Sequence, residues 1–413
     1  MTDTSIDPKP AGARRAALGF IFVTVVLDML ALGIIIPVMP KLVESFVGGD
    51  TATAAWVFGF FGTAWALMQF IFSPLVGALS DRFGRRPVIL FSNLGTGLDY
   101  ILMALAPTLT LLFIGRVISG ITTANIPTAF AYIADVTKPE DRAKAFGLIG
   151  AAFGAGFVLG PAIGGLLVDF GPRTPFWVAA AFSLANAAYG AFVLPESLKK
   201  KNRSPFDWRK ASWLGSVQLL RTSRALKGLA FTNFLGVLAH NVLPTVFVLY
   251  AGYRYGWDEK TVGLTLAGVG ICFALVQAVI TGKVVAWIGE RTTMIVGLIF
   301  GAIGFAAYGL APTSIWFWVS IPVMSLWGLA GPSAQGIMSR LVSASEQGQL
   351  QGANNSIGGI ANLVGPGLFS AVFAYSIGAG LSWGMPGLAF VLAGMLLAIS
   401  TVVAWQATRE RAA

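Results

Sequence analysis

Charge is what this chain has little of. Only 11% of its 413 residues are Asp, Glu, Lys or Arg, whereas 56% are hydrophobic. Soluble domains keep about 25% charged residues, so an ordinary soluble domain is excluded. Cysteine occurs once, as Cys272. That excludes a disulfide within the chain and leaves Cys272 as a small apolar packing residue. Histidine also occurs once, as His240. No metal-ligand cluster and no nucleophile–base constellation can be assembled, which argues against an enzyme and against a bound metal. A Gly-x4-Gly-Lys-Ser/Thr phosphate loop is missing too, so nothing supports ATP-driven work.

What fills the chain instead is long apolar runs, with a mean hydropathy of +0.75. About 20 apolar residues cross a hydrocarbon core of ~30 Å. Twelve such runs follow one another: 16–40, 54–79, 87–106, 108–136, 143–169, 174–194, 225–252, 259–287, 291–311, 313–342, 348–375 and 381–406. They predict an all-α integral membrane protein of twelve transmembrane helices with no soluble domain. The first run is too long for a cleaved signal and contains Asp28, so it reads as a retained span.

The net charge is +10, and its placement is informative. With a cytoplasmic N-terminus, 23 Lys and Arg fall on that side and four, Lys41, Arg173, Arg254 and Lys260, on the other. By the positive-inside rule both termini are cytoplasmic. The basic charge is a topology signal, and no nucleic-acid partner is implied.

The polar stretch 196–224 divides the spans six and six, giving bundles 1–195 and 225–413 around a cytoplasmic loop. Two markers recur at an offset of 205: the Gly77–Arg86 turn with Gly282–Arg291, and Gly160-Pro161 with Gly365-Pro366. In the second turn Asp81 becomes Ala286 and Arg85 becomes Glu290, which reads as a degenerate copy.

Four places carry candidate chemistry. The turn brings Gly77, Asp81, Arg82, Gly84, Arg85 and Arg86 between the second and third spans. Arg's fork suits carboxylates and helix C-terminal carbonyls. Asp135, Glu140 and Asp141 are its expected partners, with Asp81 facing a helix N-terminus, in a charge latch closing the cytoplasmic side. The alternative is a topology anchor only. Second, Asp28, Asp99 and Arg116 lie deep within spans. A charge there costs at least ~2.5–3.5 kcal/mol, so such residues are usually functional. The two acids read as proton carriers with Arg116 beside one; a structural Asp–Arg pair is the plainer option. Third, Gly156, Gly160, Pro161, Gly164 and Gly165 make the fifth span one small-residue surface that suits close packing and rocking. Fourth, Gln69, Asn93, Thr122, Asn125, Asn241, Gln277, Gln335, Asn354 and Asn355 are polar and intramembrane, as is His240. They either line a pocket or bond helices together; Gln69, Asn93, Asn125, His240 and Gln335 are the substrate-site candidates.

Gly77-Ala-Leu-Ser-Asp81-Arg82-Phe-Gly84-Arg85-Arg86-Pro87 resembles the signature of the major facilitator superfamily between spans two and three. Gly115-Arg116-Val-Ile-Ser-Gly120 resembles its span-four arginine motif. The stretch from Gly156 to Gly165 resembles the span-five motif of its drug/proton antiporters. Leu27-Asp28, Ile35–Pro40, Ala66–Gln69, Leu98-Asp99-Tyr100, Ile121-Thr122, Ala134–Thr137 and Gly348–Gly352 are similar to the bacterial tetracycline/proton antiporters. The resemblance implies the major facilitator fold in a bacterial inner membrane. It also implies alternating access and proton-coupled efflux of a small amphipathic drug such as tetracycline, in some members as a divalent-metal complex. The implied partners are protons, cargo and bilayer, with no cofactor and a monomer. A metabolite or sugar carrier of the same fold is the first alternative, and a non-transporting receptor or scaffold the second. One departure stands out: those antiporters have an acid in span nine where this chain has Gly301, which puts the cargo's charge in question.

Overall fold

Asp50, Thr108 and Asp258 each start a helix by accepting first-turn amides that would otherwise lack a partner. Asp50 takes Ala52 and Thr53 at 3.2 and 3.3 Å, Thr108 takes Leu111 at 3.3 Å, and Asp258 takes Thr261 at 2.8 Å. Between such caps the chain is helical, because a helix satisfies every backbone group within lipid. The computed structural model describes residues 11–123, 126–137, 142–198, 200, 203, 223–343 and 346–409, and among these there is no strand.

Among the described residues, eleven helical runs are long and apolar enough to cross a membrane. One of them, Glu259–Leu310, has 52 residues. It is bent at Gly289, whose φ of 77° and ψ of 160° lie outside the helical region. A loop expected there is a glycine corner instead, and the run makes two crossings, the eighth and ninth. The chain is therefore a multi-span membrane protein with the expected twelve crossings. The first is Ala11–Ile35, followed by a short helix Met39–Phe46; the second is Thr51–Phe83 and the third Arg85–Leu105. The fifth and sixth are Arg142–Leu167 and Thr174–Val193, the eleventh and twelfth Gln347–Ile377 and Leu388–Arg409.

Among the described residues, four spans depart from regular α-helix part-way. The fourth leaves helical geometry at Thr123, with φ −79° and ψ 0°, and the seventh is divided into Arg224–His240 and Val242–Tyr255. The eighth passes from Glu259–Leu275 into a π-helical turn, Val276–Ile280. The tenth passes from Ser314–Ser325 through a 3-10 turn, Leu326–Leu329, to Ala330–Ser339. Thr122 at the fourth-span break and Trp327 at the tenth-span break are 205 apart, so the offset marks geometry as well as sequence.

The first six spans meet the last six through small residues, which let backbones approach closely. Gly59 of the second span lies against Ser370, and Gly62 against Pro366, both of the eleventh. Gly263 of the eighth lies against the Pro161 carbonyl, Gly270 against Val158, and Gly165 against Glu259 and Lys260. Lys260 Nζ donates to Asp169 Oδ2 at 2.8 Å across the same seam. These contacts lie in the half of the bundle away from the Gly77–Arg86 turn. The two sets of spans close on each other there.

Candidate functional site

Gly84 ends the second span at φ 108°. Glu196 and Arg203 press against its backbone where a Cβ would stand, so only glycine fits the corner. Arg85, next in the chain, is 9% exposed. Its Nη1 lies 2.5 Å from Asp81 and donates to Ser80 Oγ at 2.6 Å. Its Nε donates to Asp135 Oδ2 at 3.3 Å, and its amide to Glu196 Oε1 at 3.0 Å. Arg86 donates to the Gly190 and Ala191 carbonyls, the negative end of the sixth helix. Arg82 lies over the Phe83 ring, and the Gly77 carbonyl accepts the Ser80 hydroxyl. Asp135 is thus the partner the sequence suggested, while Glu140 and Asp141 lie outside the described residues. Asp81 pairs with Arg85, the residue that opens the third-span helix. One thing differs from expectation. Glu196, read only as the start of a polar loop, is an acceptor in the cluster.

The second turn repeats this geometry. Gly289 takes the corner, and Arg291 Nε donates to Thr408 Oγ1 of the last span at 3.0 Å. Glu290, in the position of Arg85, accepts both terminal nitrogens of Arg340, Nη1 at 2.7 Å. Arg340 is 205 residues after Asp135. Those hydrogen bonds hold its guanidinium pKa above the ordinary value. The reading of a degenerate copy is corrected: the ion pair is kept with its charges exchanged.

The three deep charges separate. Asp99 on the third span is 2% exposed, and neither carboxylate oxygen has a hydrogen-bond partner among the described residues. Arg116 on the fourth span is the cation that acts on it, with its guanidinium 5.3 Å from the Trp65 ring centroid. Gly115 leaves room for the acid, since a Cβ there would stand 3.0 Å from Asp99 Oδ1. Asp28 sits elsewhere. Its Oδ1 accepts from Asn186 Nδ2 at 2.8 Å, and it lines a narrow cleft with Thr24, Ile89, Ile126 and Phe153. In the second half, Gly304 and Ile321 occupy the positions of Asp99 and Arg116. There Gly304 packs directly on the Met324 backbone, so close contact replaces the charges.

The fifth span has two small-residue faces, where the sequence suggested one. Gly156, Gly160 and Gly164 lie against Met29, Gly33 and Ile34 of the first span. Pro161 and Gly165 turn to the eighth span across the seam.

Most of the intramembrane polar residues bond helices together. Gln69 Nε2 donates to Thr123 Oγ1 at 3.1 Å, and the Thr96 and Thr122 hydroxyls pair at 3.2 Å, holding the fourth-span break. Gln335 Oε1 accepts from Asn354 at 3.3 Å, and Asn241 donates to Asn362 at 3.0 Å. Asn93 is buried at 1% exposure; Asn125 lies outside the described residues. His240 differs, being exposed at the seventh-span break with its ring 5.7 Å from that of Trp327. Trp327 also explains Gly301: a Cβ at Gly301 would stand 2.8 Å from the indole and 2.7 Å from Leu397. No sequence pattern marked Trp327, because its role comes from packing across three spans.

The family model described as Major Facilitator Superfamily matches residues 21–366 and 229–412. The class C tetracycline resistance protein of Escherichia coli is 38% identical over 372 residues, 89% of this chain and 92% of that one. The class B protein of Escherichia coli is 34% identical over 93% of this chain and 96% of its own. Among solved structures, a bacterial homologue of the human lysosomal transporter Spinster, inward-facing and unoccupied, overlays with a TM-score of 0.78. It covers 97% of this chain and 98% of that one at 17% identity, a likeness of fold.

Proposed function

The chain belongs to the Major Facilitator Superfamily and is a transporter, not an enzyme, and from that premise we propose that it exports a small amphipathic drug such as tetracycline in exchange for protons. The tetracycline resistance proteins among its relatives favour that cargo. The bundles 1–195 and 225–413 move as two bodies joined by 196–224, with the turn end and both termini in the cytoplasm of a bacterial cell. In that orientation the Asp169–Lys260 seam closes the outside, and the path for cargo between the bundles opens inward. The chain works as a monomer, without a cofactor.

Asp99 carries the reading. A buried carboxylate with no hydrogen-bond partner is costly unless it binds a proton or is held by a cation. Arg116 holds the charged form, and rocking of the bundles changes which side hydrates the pair. A proton taken from outside neutralises Asp99, and its release inside resets the cycle. Asp28, tied to Asn186, is the second proton site.

The test is uptake into proteoliposomes under an imposed pH gradient, with tetracycline and magnesium supplied. Accumulation should collapse with a protonophore and be lost in Asp99→Asn. Gradient-independent accumulation, or none, would overturn the exchange.

A further inference from the structure

Irregular backbone gathers at one place in the second half. His240 ends the first helix of the seventh span; Gln277 and Trp327 lie in the π turn of the eighth and the 3-10 turn of the tenth. The three interruptions converge. His240 and Trp327 rings are 5.7 Å apart at 39°, and Phe273, one turn before Gln277, is 6.4 Å from Trp327. The backbone at Gly328 rests against Phe273 and Gln277. Turns of this kind inside helices commonly mark functional sites, since they release backbone groups and redirect side chains.

His240 and Gln277 are both exposed. The His240 ring makes no hydrogen bond among the described residues. Polar side chains are not tolerated cheaply toward lipid, and the drug-carrying reading above gives both a place on the path between the halves. Trp327 is fixed from behind by Gly301 and by Phe305, whose ring is 5.7 Å away. Its indole is a rigid wall, and a rigid aromatic wall loses little entropy on binding. No Asp or Glu occurs between residues 260 and 289, or between 291 and 345. The wall therefore holds no fixed anion to select a cation or bind a metal.

We propose that His240, Phe273, Gln277 and Trp327 form a stacking subsite for a planar conjugated ring, selected by its π face and hydrogen bonds and indifferent to its charge. This rests on the drug-carrying reading above and narrows the class of cargo. The ring lies on Trp327, with His240 and Gln277 reaching its polar edge.

Fluorescein and rhodamine 6G share a xanthene ring and carry opposite charges, so they separate stacking from charge recognition. Fluorescence anisotropy of each dye with the purified full chain reads binding without requiring transport. The two affinities should agree within about tenfold; Trp327→Leu should weaken both by roughly tenfold and Trp327→Phe by much less. If Trp327→Leu does not yield folded protein, His240→Leu is read in its place, with the same weakening expected for both dyes. The proposal is overturned by a larger preference for either dye, by failure of both to bind, or by unchanged binding in the folded variant. Proton-driven flux with failed dye binding removes the subsite alone. Dye binding without any gradient-driven flux removes the exchange mechanism alone.

Discussion

Glu290 and Arg340 make the same contact in the second half that Arg85 and Asp135 make in the first, with acid and base exchanged. Both pairs join the start of one span to the end of the next, after a glycine corner at φ 108° or 77°. Reversing one member alone, as in Glu290→Arg, puts two cations together. Flux and melting temperature should fall in that variant and recover in Glu290→Arg with Arg340→Glu. The pair is partly exposed, so the stability effect should stay near ~0.2–1 kcal/mol. A double variant no better than the single would show that the pairing is incidental.

Asp99 and Asp28 should behave differently when neutralised. Asp99→Asn removes a buried charge with no hydrogen-bond partner, so the protein should melt no lower than the parent while gradient-driven flux falls by at least about tenfold. Asp28→Asn keeps a partner for Asn186 and should retain the fold with a smaller loss of flux. Thermal melts and proteoliposome uptake on the same preparations decide this.

Glycines of the fifth span offer an internal control. Nothing lies within 4 Å of a Cβ placed at Gly154, whereas one at Gly160 would stand 2.5 Å from the Gly33 Cα. Gly154→Ala should be neutral or stabilising by up to ~1 kcal/mol. Gly160→Ala should destabilise by about 1–3 kcal/mol through overpacking against the first span. Equal melting temperatures would contradict the two-faced reading of this helix.

The seam at the other end should respond to charge. Lys260→Glu sets two acids together where Lys260 and Asp169 now bond at 2.8 Å. Both side chains are substantially exposed, so the population shift toward an outward opening should be no more than about fivefold. Thiol labelling of a cysteine placed beside the seam would report it, and Asp169→Lys added to Lys260→Glu should restore the original labelling rate.

Asp258 predicts a pH dependence. Hydrogen bonds from the Thr261 hydroxyl and amide hold its carboxyl below the ordinary value. The folded value lies below the unfolded one, so the cap is fully effective above about pH 4 and is lost as pH falls through the lowered value. Asp258→Asn caps without titrating. Melts from neutral to acid pH should show the parent losing stability relative to this variant only at the acid end.

Apolar period and length made the twelve crossings legible, because lipid leaves a helix few alternatives. The Arg85–Asp135 contact was legible too, since a deep or end-of-span charge requires a partner. Arg340 was within reach by the same offset, but was missed because Glu290 looked like decay once it was compared without its partner. Trp327, the faces of the fifth span and the Gly289 corner were not legible. Each depends on which neighbour a residue meets after packing, and a sequence of uniformly apolar spans does not rank its neighbours.

Gly301 and Trp327 finally tie two changes together. An acid at 301 must displace the indole and Leu397 from the adjoining space. Under the subsite proposed above, any change that admits a carboxylate at 301 therefore also disturbs the aromatic wall beside His240, so cargo charge and cargo shape cannot be retuned one at a time.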